Sequence, residues 1–149
     1  MNSAAANGAA VKKGDRFEQV LTDNLTRTQI VQYAGVSGDY NPVHTDEVFA
    51  RHAGFPSVFA HGMLTMAMTA QALTGWLGGE NLTRYGVRFK KQVWPGDRLV
   101  VTAEVQDVHS DEAGQRLAEL TVTTRNGAGE EVLAGYVTAK LGQQQGERP

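Results

Sequence analysis

Residues 62–77, GMLTMAMTAQALTGWL, decide how this chain folds. The run carries no charge and is bounded by Gly78-Gly79, so it reads as one apolar helix with a firm stop. It is too short for a membrane span, which takes about 20 predominantly apolar residues. It is also interrupted by Thr65, Thr69, Gln71 and Thr74. The expectation is therefore a helix buried inside a soluble domain, with Ala67, Ala70 and Ala72 slim enough for close sheet contact. Everything downstream favours extended structure, in segments 82–93, 97–109, 116–125 and 131–141. In 98–108 Leu99, Val101, Ala103 and Val105 alternate with Val100, Thr102, Glu104 and Gln106, the period of two of a half-buried strand. Leu117, Leu120, Val122 and Thr124 form a less regular case. Turns fall at Pro95-Gly96-Asp97, at 111–114 and at 126–129. One long apolar helix followed by antiparallel strands has a natural solution: an α+β domain whose sheet curls around the helix and buries it on most sides. No internal repeat doubles the unit.

Upstream of that helix the pattern is shorter. A strand is expected over 16–22, then a helix capped by Thr26 that carries Ile30, Val31 and Ala34 and ends near Gly35. Residues 37–45 read as a loop because Gly38 and Asn41-Pro42 break regular structure. Thr45 is placed to cap a short helix over 46–53, with Gly54 terminating it, and a loop over 55–60 leads to the main helix. Residues 1–10 and 143–149 read as disordered tails, leaving one domain over 11–142.

Bulk properties narrow the classes. The chain has 149 residues, a formal charge of -2 and no cysteine. Its length suffices for a core without staples. Its charge leaves no basic footprint for nucleic acid. The lack of thiols rules out disulfides and thiolate metal sites, and it fits a reducing cytoplasm. The small, polar first ten residues do not form a signal peptide.

The chemistry is concentrated in Ser37-Gly38-Asp39-Tyr40-Asn41-Pro42-Val43-His44, followed by Ala60-His61-Gly62-Met63 at the helix start. A carboxylate and an imidazole brought together around a proline-bent turn can hold and deprotonate one water. A helix N-terminus beside them offers free N–H groups to developing negative charge. This is equipment for adding water to, or removing it from, an activated carbonyl compound.

These two segments closely resemble the MaoC-like family of (R)-specific enoyl-thioester hydratases and hydroxyacyl dehydratases, and the looser resemblance runs from about Val11 to Leu141. Within the family the stretch 33–44 with 61–66 looks most like the catalytic beta-subunit type of actinobacterial (3R)-hydroxyacyl-carrier-protein dehydratases. The resemblance implies a single hotdog fold and interconversion of trans-2-enoyl and (3R)-3-hydroxyacyl thioesters of coenzyme A or acyl carrier protein in fatty-acid metabolism. It implies that Asp39 and His44 grip the water and that the backbone N–H of Gly62 binds the thioester carbonyl. It also implies a second hotdog subunit, identical or related, and no metal or redox cofactor.

The remaining residues of the motif read as support. Ser37 and Gly38 shape the loop, Asn41 bonds the turn backbone, Pro42 restricts one angle between the pair, and His61 is structural or lines the site. His52 and His109 match no motif and belong on the surface. No histidine spacing typical of a metal site occurs, and no Gly-rich dinucleotide loop. Met63, Met66 and Met68 either border an acyl tunnel or fill core. Arg84, Arg88, Lys90 and Lys91 either meet a pantetheine phosphate or acidic carrier, or form a solvated strand face. A thioesterase on the same fold would need a carboxylate within 62–77, where there is none. A hotdog that only binds acyl thioesters, or only completes another subunit, would not need the Asp-His pair.

Overall fold

The computed structural model describes residues 11–142, so both expected tails lie outside the described residues. Five strands, β1 (Arg16–Thr22), β2 (Leu82–Phe89), β3 (Leu99–Ser110), β4 (Arg116–Asn126) and β5 (Glu131–Lys140), form one sheet in the order β1-β3-β4-β5-β2. Every pairing is antiparallel. The helices are α1 (Arg27–Ser37), α2 (Glu47–His52) and α3 (Gly62–Leu77).

The inward face of the sheet follows the sequence alternation. Leu99, Val101, Ala103 and Val105 of β3 are buried, as are Ala118, Leu120, Val122 and Thr124 of β4. Leu117, half-buried, belongs to the outer phase, and this explains the irregular appearance of β4. Against that face α3 lays Thr65, Thr69, Ala72, Leu73, Trp76 and Leu77. Spacings of three and four keep these on one side of the helix. Phe17 of β1 stacks on Trp76 with centroids 4.9 Å apart. Two polar links also hold the helix to the sheet. The Thr69 and Thr124 hydroxyls lie 2.7 Å apart, and the Tyr85 hydroxyl donates to the Met66 carbonyl over 3.0 Å. Burial pushes the Tyr85 phenol up to about 12, so it stays a neutral donor.

Several expectations are corrected. α3 is buried or half-buried on most sides, as expected, but one row, Met63, Ala67, Gln71 and Gly75, is exposed. Of the three alanines only Ala72 is buried. β2 ends at Phe89, short of the expected Val93, although the Lys90 N–H still reaches the Val132 carbonyl of β5. The cap of α2 is Asp46, which accepts from the Phe49 N–H, and Thr45 lies one residue earlier. A carboxylate accepts more strongly than a hydroxyl at that end of the dipole. Helix α1 runs past Gly35 to Ser37, and only Gly38, at φ +75°, ends it. Residues 42–44 form a 3-10 turn within the expected loop. Val31 is exposed while Ile30 and Ala34 are buried.

Two glycines on β2 and β5 set how closely these strands lie. A Cβ on Gly135 would meet the Gly86 carbonyl oxygen at 2.0 Å, and one on Gly86 would meet the Tyr136 ring at 2.6 Å. Tyr136 thus covers the bare Gly86 opposite it.

Candidate active site

The Asp39–His44 segment hangs between α1 and α2 and is tied at both ends. At the entry, Thr26 and Gln29 form a reciprocal capping box that starts α1, a cap of the kind worth about 1 kcal/mol. At the exit, Glu47 of α2 receives Arg27 from the first turn of α1 at 2.7 Å, and Arg51 at 3.0 Å. These two guanidiniums hold the Glu47 carboxyl down to about 2. Between the ends the loop bonds to itself: the Asp39 N–H donates to Ser37 Oγ, the Asn41 N–H to Asp39 Oδ1 at 3.3 Å, and the Val43 N–H to Asn41 Oδ1. Ser37 and Asn41 thus bond within the loop, and Pro42 opens the 3-10 turn.

His44 is buried and Asp39 exposed. The Nδ1 of His44 lies 2.7 Å from the Phe59 carbonyl oxygen. Because a carbonyl only accepts, Nδ1 carries the proton and Nε2 keeps a free lone pair. Burial lowers the His44 pKa below its usual value, against the raising effect of the Phe59 bond. Near neutral pH the ring is an uncharged base. His61, 2% exposed, donates from Nε2 to the Asp39 carbonyl at 3.0 Å. Its ring stacks on His44 with centroids 3.8 Å apart and planes 27° apart. One oxygen or ring nitrogen from each of Asp39, His44 and His61 lies within 4.8 Å of the others. One water making two hydrogen bonds of about 2.8 Å spans such a gap.

The same three residues offer metal-ligand atoms, but not metal geometry. An ion about 2.1 Å from a nitrogen of each imidazole would lie in both ring planes. Planes tilted by only 27° with centroids 3.8 Å apart do not intersect that close to the rings.

Gly62 opens α3 directly after His61, and no side chain caps the helix. Its N–H therefore remains available at the positive end of the dipole. A cleft of about 300 Å³ begins there, lined by Gly62 and Thr65 on the helix, Phe59 on the preceding loop, and Phe89, Lys90 and Val93 opposite. Asp39 and His44 do not line it, but Phe59, which does, meets the His44 ring with centroids 5.0 Å apart. A Cβ on Gly62 would stand 3.2 Å from the Phe89 ring. Thr65, which sequence reasoning passed over, has a buried hydroxyl with no hydrogen-bond partner.

The surrounding candidates separate cleanly. His52 and His109 are exposed. Met66 and Met68 pack against the smaller core cluster around Leu25, Ile30 and Leu133, whereas Met63 is exposed. Lys90 pairs with Glu131 at 2.6 Å and Lys91 pairs with Glu130. Arg84 lies over the Tyr136 ring. Of the four basic residues only Arg88 shows no side-chain partner among the described residues.

Comparison with known proteins sets this fold in a class. The MaoC-like domain model matches residues 9–128, and the chain belongs to the MaoC-like dehydratase family. The hotdog fold expected from the sequence holds: R-hydratase PhaJ1 from Pseudomonas aeruginosa superposes with a TM-score of 0.79 at 27% identity, over 92% of this chain and 86% of its own. Enoyl-CoA hydratase 2, peroxisomal, of Arabidopsis thaliana is 30% identical over 139 residues, covering 91% of this chain and 42% of that protein. For 3-hydroxyacyl-thioester dehydratase Y of Mycobacterium tuberculosis the identity is 39% over 95 residues, 61% of this chain and 33% of that protein. The chain thus spans less than half the length of either of these two relatives. Among the described residues no helix is long and apolar enough to cross a membrane.

Proposed function

We propose that this chain is a hydro-lyase that interconverts trans-2-enoyl thioesters and (3R)-3-hydroxyacyl thioesters. The observation that carries the reading is the convergence of the Asp39 carboxylate and the His44 ring, within 4.8 Å, beside the uncapped start of α3. Relatives named as an enoyl-CoA hydratase and a 3-hydroxyacyl-thioester dehydratase support it.

In the hydration direction one water sits between the Asp39 carboxylate and Nε2 of His44. Its oxygen attacks C3 while its proton passes to the dyad. The electron pair of the double bond moves through C2 to the thioester oxygen, which the Gly62 N–H stabilises. The dyad then returns a proton to C2, so that one water has been added and the dyad regains its starting protonation. Dehydration is the reverse. No step calls for a metal, a nicotinamide or a flavin.

The proposal includes a second hotdog subunit, identical or related. β2 is an open sheet edge, and exposed Phe89 and Met63 stand beside the cleft. An unpaired edge with apolar neighbours gains by being covered. The chain's own thioester carrier is coenzyme A or acyl carrier protein.

The test is an assay of the purified full chain with crotonyl and longer trans-2-enoyl thioesters of both carriers, alone and mixed with a hotdog subunit lacking the dyad. EDTA is present and no redox cofactor is added. The expected result is loss of the enoyl absorbance and a product of 3R configuration. A 3S product, or hydration that disappears with EDTA and returns with a divalent ion, overturns the assignment.

A further inference from the structure

Among the described residues, His61 is the one side chain with a hydrogen bond or ring contact to both members of the proposed dyad. Its Nε2–H meets the Asp39 carbonyl at 3.0 Å, and its ring face covers His44 at 3.8 Å. From the other side Tyr33 of α1 closes on it at 4.9 Å. Burial to 2% leaves the ring little room to swing. Its second nitrogen, Nδ1, is buried without a partner, a state that polar groups avoid where an alternative exists. A phenyl ring here would escape that penalty and still stack, but could not donate to Asp39. A glutamine could donate, but could not stack. Imidazole does both at once, at the cost of one unsatisfied lone pair.

We infer that His61 is the positioning residue of this site: it sets the Asp39 loop against the His44 ring so that both can reach one water. The inference rests on the hydration reading above. Asp39 is exposed, and the Asn41 N–H holds its carboxylate only at 3.3 Å within a loop bonded mainly to itself, so the His61 bond to its backbone carbonyl adds the tie between that loop and the buried rings. Reactive geometry is sensitive at that scale, a misplacement of about 1 Å costing on the order of 10²-fold in rate. His61 also keeps solvent from one face of His44. The titratable groups facing this pair are Asp39 on the loop and Tyr33 on α1.

Two variants separate the contacts. His61→Phe keeps the ring and loses the donor; His61→Gln keeps a donor and loses the ring. Both are expected to lower kcat by about 10-fold or more while KM changes by less than about 3-fold, since neither touches the thioester. In His61→Gln the acid limb of the pH–rate profile moves to higher pH, because His44 becomes better hydrated. In His61→Phe it moves less, because the phenyl ring keeps His44 covered and only the lowering influence of the His61 imidazole is lost. A residue that only filled space would lower the thermal midpoint and leave kcat of the folded fraction and the acid limb unchanged; that outcome overturns the inference. Should the wild-type protein hydrate no enoyl thioester, the parent reading fails. The coupling is then read by NMR titration of the His44 ring: a higher midpoint in His61→Gln supports it, and an unchanged one refutes it.

Discussion

Asp39 and His44 are expected to act on one water as a unit, and this has a measurable signature. Asp39→Asn and His44→Ala should each lower turnover by about 10²–10⁴-fold, the usual worth of a general acid–base group. The double variant should be little worse than either single one. Losses that multiply would mean independent roles. His44 also makes stability depend on pH. Its folded pKa is lowered by burial from the ordinary 6.5, so between those two values the unfolded chain binds more protons than the folded one. Stability therefore rises with pH across that window and falls as pH drops from about 7 through it. The effect should be absent in His44→Gln, and denaturant unfolding of both proteins at several pH values checks it.

At the scale of elements, the two ends of α3 use glycine for different reasons. Gly62 has ordinary backbone angles, and its missing side chain leaves room between the helix start and the Phe89 ring. Gly78 sits at φ +93° with Asn81 Nδ2 2.6 Å from where a Cβ would stand, a conformation that costs other residues about 1–3 kcal/mol. Gly62→Val should therefore lower turnover by about 10²–10³-fold, the usual loss for one oxyanion donor, with only a modest fall in thermal midpoint. Gly78→Ala should show the opposite: a lower midpoint with turnover of the folded fraction preserved. Near-normal turnover in folded Gly62→Val would remove this helix start from the mechanism. Thr65, one turn further on, offers an independent check of its unpartnered hydroxyl. Thr65→Val removes a buried polar atom at almost equal volume and should not destabilise, whereas most buried Thr→Val changes that break a hydrogen bond cost about 1 kcal/mol.

For the molecule as a whole, one row of α3 and the outer edge of β2 are left uncovered among the described residues. The exposed row Met63, Ala67, Gln71, Gly75 lies outside both core clusters, and the edge strand β2 joins them through Leu82, Tyr85 and Val87 while its outer edge pairs with no strand among the described residues. Sedimentation of the purified chain is expected to show a two-subunit species, either by itself or after addition of a related hotdog subunit. A stable monomer active under assay conditions would contradict this. Gly135 bears on the same point, since it lets β5 draw close to β2. Gly135→Ala, colliding with the Gly86 carbonyl, should loosen β2 and weaken subunit association along with stability, by about 1–3 kcal/mol, measured by thermal midpoint and by the sedimentation profile.

Much of this protein is legible without coordinates. Helix 62–77, the Thr26 cap, strand 16–22 and the inward set of β3 are local matters: periodicity, capping chemistry and glycine stops act within a few residues, so the chain order already contains them. The Asp39–His44 pairing is legible for the same reason, five residues around a proline turn. Competition at short range explains the small errors, such as Asp46 prevailing over Thr45 as a cap. What only the tertiary structure decided lies between distant segments. The 3.8 Å stack of His61 on His44, the Phe59 carbonyl that fixes the His44 tautomer and the glycine pair that draws β2 to β5 leave no periodic trace in sequence. Each depends on where separate elements come to rest, and packing of the whole domain sets that. The exposed face of α3 is of the same kind: Thr65 and Thr69 are buried while Met63 is exposed, so polarity along the helix does not declare which side the sheet will take.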